Sequence, residues 1–76
     1  MAEQWKLDCL GMKCPRPIIE IAKAARKAAP GTILTVFADD LAFESDVHAW
    51  VERAQADILA LAKEGSTVTV RIKLAD

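Results

Sequence analysis

Residues 57–74 read DILALAKEGSTVTVRIKL, and the fold depends on how this stretch is divided. From Thr67 to Leu74 polar and apolar residues alternate, with Val68, Val70, Ile72 and Leu74 on one side and Thr67, Thr69, Arg71 and Lys73 on the other. A period of two is the mark of a β-strand with one buried face. The first half is ambiguous. Ile58 to Ala62 carry side chains that helices accept, and propensity alone would extend a helix to Lys63. Yet Glu64-Gly65-Ser66, directly ahead of a clean strand, has the composition of a hairpin turn. The number of strands decides between the two. A three-stranded sheet is narrow for two helices to cover, so Ile58 to Lys63 is expected to pair with the last strand as a fourth.

Working back from this hairpin, Phe43, Val47, Trp50, Val51 and Ala54 recur at helical spacing, with Asp40 or Ser45 as the expected N-cap. Thr32 to Ala38 is β-branched and apolar on both sides, Leu34 and Val36 on one and Ile33 and Phe37 on the other, as in a central strand covered by helices. A first helix is expected from Pro15 to Ala29, its apolar stripe formed by Ile18, Ile21, Ala22, Ala25 and Ala29 and its end set by Pro30-Gly31. Trp5, Leu7 and Cys9 alternate with Lys6 and Asp8, which predicts a short first strand with those three facing in. Between them lies a loop in which Gly11 can take a positive φ, while Pro15 keeps Cys14 out of the α region.

The chain has 76 residues, 53% apolar and 28% charged, with three Gly and three Pro. That suits one globular domain over residues 1–76, which at this size buries only about 60% of the surface its unfolded chain exposes. One small core leaves no spare apolar face, so a monomer is expected. The segment from Met1 to Asp8 has no apolar signal region, and no stretch approaches the roughly 18 apolar residues of a membrane span. A cytoplasmic location without membrane contact is expected.

The net charge of −1 hides an asymmetry. Lys13, Arg16, Lys23, Arg26 and Lys27 face only Glu20 within residues 13–27, whereas Asp39, Asp40, Glu44, Asp46, Glu52 and Asp57 face only Arg53 within residues 39–57. The expectation is a basic flank near Cys14 and an acidic one elsewhere. Such a basic helix suits brief, salt-sensitive docking onto acidic proteins better than binding to nucleic acid, because two Phe, two Trp and no Tyr give no platform for stacking bases. Two cysteines and one histidine at these spacings do not make a zinc site, and there is no Gly-rich phosphate loop, so neither metal nor nucleotide cofactor is expected.

Chemistry concentrates on Cys14. In a reducing compartment two cysteines are more often thiols than a disulfide. Cys14 precedes a helix whose first and third positions are expected to be Pro15 and Pro17, so the helix dipole and the N–H groups of Arg16 and Ile18 favour an anion there. With Lys13 and Arg16 adding positive potential, a lowered thiol pKa is expected. The only histidine, His48, sits among Glu44 and Glu52 on the second helix and is no base for a cysteine hydrolase. Thiolate chemistry without a base means sulfur exchange. Cys9, facing inward from a strand, is most simply a small core residue, with a second reactive thiol five residues from Cys14 as the alternative.

Cys14-Pro15-Arg16-Pro17 resembles the Cys-Pro-x-Pro signature of the small TusA/SirA/YedF-type sulfur carriers. The run from Leu7 to Lys13 is similar to that family's Leu-Asp-x-x-Gly-x-x lead-in, and Asp39-Asp40 is similar to the acidic pair closing its second strand. Leu41 stands where the family often has proline. The resemblance covers nearly the whole chain. It implies an α/β (α+β) two-layer sandwich in βαβαββ order, with a four-stranded mixed sheet covered by two helices. It further implies that Cys14 accepts sulfur as a persulfide from a cysteine desulfurase or rhodanese and passes it to an acceptor protein. That acceptor would serve tRNA thiolation, cofactor maturation or dissimilatory sulfur oxidation, with no direct contact to nucleic acid. The implied role is a carrier rather than a turnover enzyme. A dithiol redox protein using Cys9 and Cys14 is the alternative reading.

Overall fold

The computed structural model describes residues 3–75. The elements run β1 (Gln4–Cys9), α1 (Arg16–Lys27), β2 (Ile33–Ala38), α2 (Phe43–Ala54), β3 (Asp57–Glu64) and β4 (Thr67–Lys73). The four strands form one mixed sheet in the order β1-β2-β4-β3. β1 and β2 are parallel, and β4 pairs antiparallel with both β2 and β3. The βαβαββ sandwich and its fourth strand are therefore as expected.

Residues 57–74 fold as a hairpin because Gly65, at φ 60°, supplies the left-handed position of a two-residue turn. Val68, Val70 and Ile72 are buried, and Leu74 is buried just beyond the strand end. β3 is less regular than the alternation of β4. A bulge between Ile58 and Ala60 leaves Leu59 without a partner and 47% exposed, while Ile58 and Leu61 pack against the core.

The parallel register aligns Trp5, Leu7 and Cys9 with Leu34, Val36 and Ala38, and the antiparallel one aligns those three with Ile72, Val70 and Val68. This common face is the one the helices cover. β2 departs from expectation here: Ile33 and Phe37 stay half-buried on the uncovered face, because a two-layer fold has helices on one side only. Each large side chain sealed in the core, such as Ile21, Leu34 or Ile72, contributes roughly 1.5–3 kcal/mol.

α1 begins at Arg16 with Pro15 as its N-cap, one residue later than expected, so the prolines occupy the cap and second positions. It ends at Lys27 rather than Ala29. Ala28 is already extended, so the helix stops two residues ahead of Pro30. The buried line is Pro17, Ile21 and Ala24. Ala22 lies beside it, half-buried, and Ala29 is exposed. α2 starts after Ala42, whose N–H is held by Asp40 Oδ2 at 3.0 Å, so Asp40 anchors the first turn from two residues upstream. Ser45 instead donates to the Ala42 carbonyl. Phe43, Val47 and Val51 form its buried line, and Trp5 and Trp50 are partly buried around the core. No helix of the described residues is long and apolar enough to cross a membrane.

Candidate functional site

Because β1 and β2 are parallel, with Cys9 beside Ala38, both chains leave the sheet at the same end. Each then turns into a helix, so the first turns of α1 and α2 are neighbours. The two connecting loops are tied together where Gly11, at φ 79°, donates its N–H to Asp39 Oδ1 at 3.0 Å. Within the first loop Leu10 N–H donates to Asp8 Oδ1 and Met12 N–H to the Cys9 carbonyl. The loops enclose a cleft of about 350 Å³ lined by Gly11, Met12, Lys13, Asp39, Asp40 and Leu41, the last 99% exposed.

Cys14 sits at this end, exposed, with a cis peptide bond to Pro15. Its Sγ–H donates to Asp46 Oδ2 at 2.8 Å. A groove of about 290 Å³ runs beside the pair, lined also by Pro15, Ile18, Ala49 and Arg53. The thiol pKa is raised, contrary to the expectation from the helix start. The hydrogen bond to Asp46 is the main cause, with slight desolvation and the charges of Asp46 and Asp40 adding to it. A carboxylate that accepts the thiol's proton bond stabilises the protonated form. The helix end offers less than expected, since the Arg16 N–H is taken by the Lys13 carbonyl at 2.8 Å and Pro17 has none. Among first-turn N–H groups, that of Ile18 remains.

Pro17 is buried in the core while Pro15 is exposed on the groove, so the two prolines have different tasks. Lys13, Arg16, Lys23, Arg26 and Lys27 are all exposed, and Lys23 approaches Glu20 at 3.7 Å. The acidic residues correct a further expectation. Asp39, Asp40 and Asp46 lie at the Cys14 end of the sheet rather than on a separate flank, so basic and acidic surfaces meet at the thiol. Asp46 is the residue that sequence reasoning missed. Its first-turn position on α2, given a parallel β1-β2 pair, was the available signal.

Cys9 is 1% exposed and unpaired, and burial raises its thiol pKa, helped by the charges of Glu20 and Asp8. His48 is exposed on α2.

The family model described as Sulfurtransferase TusA matches residues 6–74. A protein of Aquifex aeolicus named as a candidate sulfur carrier is 32% identical over 73 residues, 96% of this chain and 37% of that protein. A protein of the same description from Archaeoglobus fulgidus is 33% identical over 58 residues, 76% of this chain and 75% of the relative. The chain thus spans little more than a third of the Aquifex relative and three quarters of the Archaeoglobus one. Among solved structures, the SirA-like protein of Desulfitobacterium hafniense superposes with a TM-score of 0.81 at 25% identity, covering 95% of this chain and 99% of that one.

Proposed function

The chain belongs to the sulfurtransferase TusA family, and on that premise we propose that it is a sulfur carrier whose cargo is held on Cys14 as a persulfide. One observation supports this choice of residue: of the two thiols, Cys14 is exposed at a loop-to-helix junction and Cys9 is sealed in the core. Reaction through a dithiol would require Cys9 to leave that core.

In the exchange, Cys14 Sγ attacks the terminal sulfur of a donor persulfide. The new Sγ–S bond forms as the donor's S–S bond breaks, the electron pair of that bond stays on the donor cysteine, and the proton lost by Cys14 ends there. No net oxidation occurs. An acceptor thiol then repeats the step on Cys14. The donor is a cysteine desulfurase or rhodanese, and the acceptor is a protein of tRNA thiolation, cofactor maturation or sulfur oxidation. The carrier acts as a cytoplasmic monomer, with the exposed cations of α1 steering its partners.

Incubation with a cysteine desulfurase and cysteine, or with a rhodanese and thiosulfate, should add one sulfur to Cys14 by mass spectrometry. No gain with either donor, or a gain that survives Cys14→Ser, overturns the reading.

A further inference from the structure

Asp46 is the one side chain in hydrogen-bond contact with the Cys14 sulfur among the described residues. A carboxylate only accepts, so this contact depends on the proton of the thiol. When Sγ gains a second sulfur that proton is gone. A persulfide is a stronger acid than its parent thiol, and at neutral pH its terminal sulfur is an anion. The contact that was a hydrogen bond becomes the approach of two negative charges.

Asp46 has no cation partner within ion-pair distance among the described residues, and its side chain is half-buried, which limits screening by salt. Asp40, from the loop before α2, adds negative potential. Positive groups are also near: Arg53 lines the groove from α2, the N–H of Ile18 is free, and exposed Lys13 and Arg16 flank Cys14 along the chain. These make a persulfide tenable without neutralising the carboxylate that touches Sγ.

We propose that Asp46 sets the direction of the sulfur exchange, favouring the empty thiol over the loaded persulfide and so biasing Cys14 toward giving its sulfur away. The inference rests on the carrier reading and adds a direction to it. During unloading, the acceptor thiol attacks the terminal sulfur, the Sγ–S bond breaks with its electron pair on Sγ, and the acceptor's proton passes to Sγ. There it restores the hydrogen bond to Asp46. The raised thiol pKa has the same origin.

The test uses the whole chain and Asp46→Asn, which keeps the shape and removes the charge, with circular dichroism to confirm the fold. Both proteins are loaded with inorganic polysulfide, which needs no partner protein, and equilibrated with glutathione and its persulfide at a fixed ratio. The variant is expected to retain a severalfold larger share of persulfide on Cys14. Its empty thiol should be alkylated severalfold faster at pH 7, with the inflection of the pH profile moved down. An equal or smaller retained share overturns the proposal even if alkylation quickens, since Asp46 would then act on the empty thiol alone. Unchanged alkylation overturns it as well. Failure of a desulfurase to load Cys14 would instead remove the carrier reading and leave this equilibrium measurable.

Discussion

Cys14 and Asp46 meet in a 2.8 Å hydrogen bond from Sγ to Oδ2 that joins the first turns of the two helices. The contact exists because β1 and β2 are parallel neighbours, which brings the loops that follow them, and the helices those loops open, to one end of the sheet. It opposes the local effect of a helix N-terminus on a cysteine, which is to favour the thiolate. A contact at hydrogen-bond distance outweighs a dipole whose donors are largely used by a turn or replaced by proline.

The pH profile of Cys14 follows from that balance. Asp46 first, then slight desolvation and the Asp46 and Asp40 charges, hold the thiol protonated above the usual range. Alkylation of Cys14 by iodoacetamide, resolved by mass spectrometry, should be slower at pH 7 to 8 in the native chain than in urea. The native profile should reach its inflection at the higher pH. Faster alkylation in the native state would mean that the helix start dominates after all.

Cys9 makes a prediction about stability instead. Its thiol is buried and its pKa is raised by that burial, so the folded chain keeps this proton to higher pH than the unfolded chain does. The associated stability is fully present below the ordinary thiol range, about 8.5, and is lost as pH rises through the raised folded value. Urea midpoints should therefore fall from pH 8 to 10. In Cys9→Ala that part of the slope should disappear, at a cost of about 1 kcal/mol at neutral pH. An identical slope in both proteins would assign the alkaline loss to other groups.

Gly11 shapes the loop that delivers Cys14. Its φ of 79° is left-handed, and an added Cβ would meet no atom within 4 Å, so the cost of a side chain is conformational rather than steric crowding. Gly11→Ala is expected to destabilise the fold by about 1–2 kcal/mol. Gly11→Asn should cost less, because Asn tolerates this region. Equal losses in thermal or urea unfolding would count against the backbone explanation.

The sequence made strands legible where one period ran unbroken, as in Thr67 to Leu74, and the hairpin through Gly65 followed from strand counting. What it concealed was sidedness. Ile33 and Phe37 look like core beside Leu34 and Val36, and only the placement of both helices on one face leaves them half-buried. The bulge at Leu59 is likewise a matter of register against β4. At the site, the exposed thiol at a helix start was readable from Cys14 and Pro15, which are adjacent. Asp46 was readable only indirectly, since 32 residues separate it from Cys14 and the two become a pair only once the parallel β1-β2 arrangement brings both helix starts to one end. The sign of the thiol's pKa shift was misjudged for that reason.

The cations of α1 offer the last prediction. Arg16, Lys23 and Lys27 recur along one exposed side of the helix, about a quarter turn from the buried line of Pro17, Ile21 and Ala24. The contact between Lys23 and Glu20 is exposed, and such pairs contribute little to folding. Reversing Lys23 and Lys27 to glutamate should cost about 1–2 kcal/mol, from the reversed last-turn dipole interaction at Lys27 and the like charge set beside Glu20. Docking is another matter. If these residues steer an acidic donor, kcat/KM for sulfur loading of Cys14 should fall severalfold at low salt through slower association, with kcat held. The difference should close as ionic strength nears about 1 M, where charges are screened over about 3 Å. A loss that persists at high salt would locate the fault in a direct contact, and no loss at all would remove α1 from the docking surface.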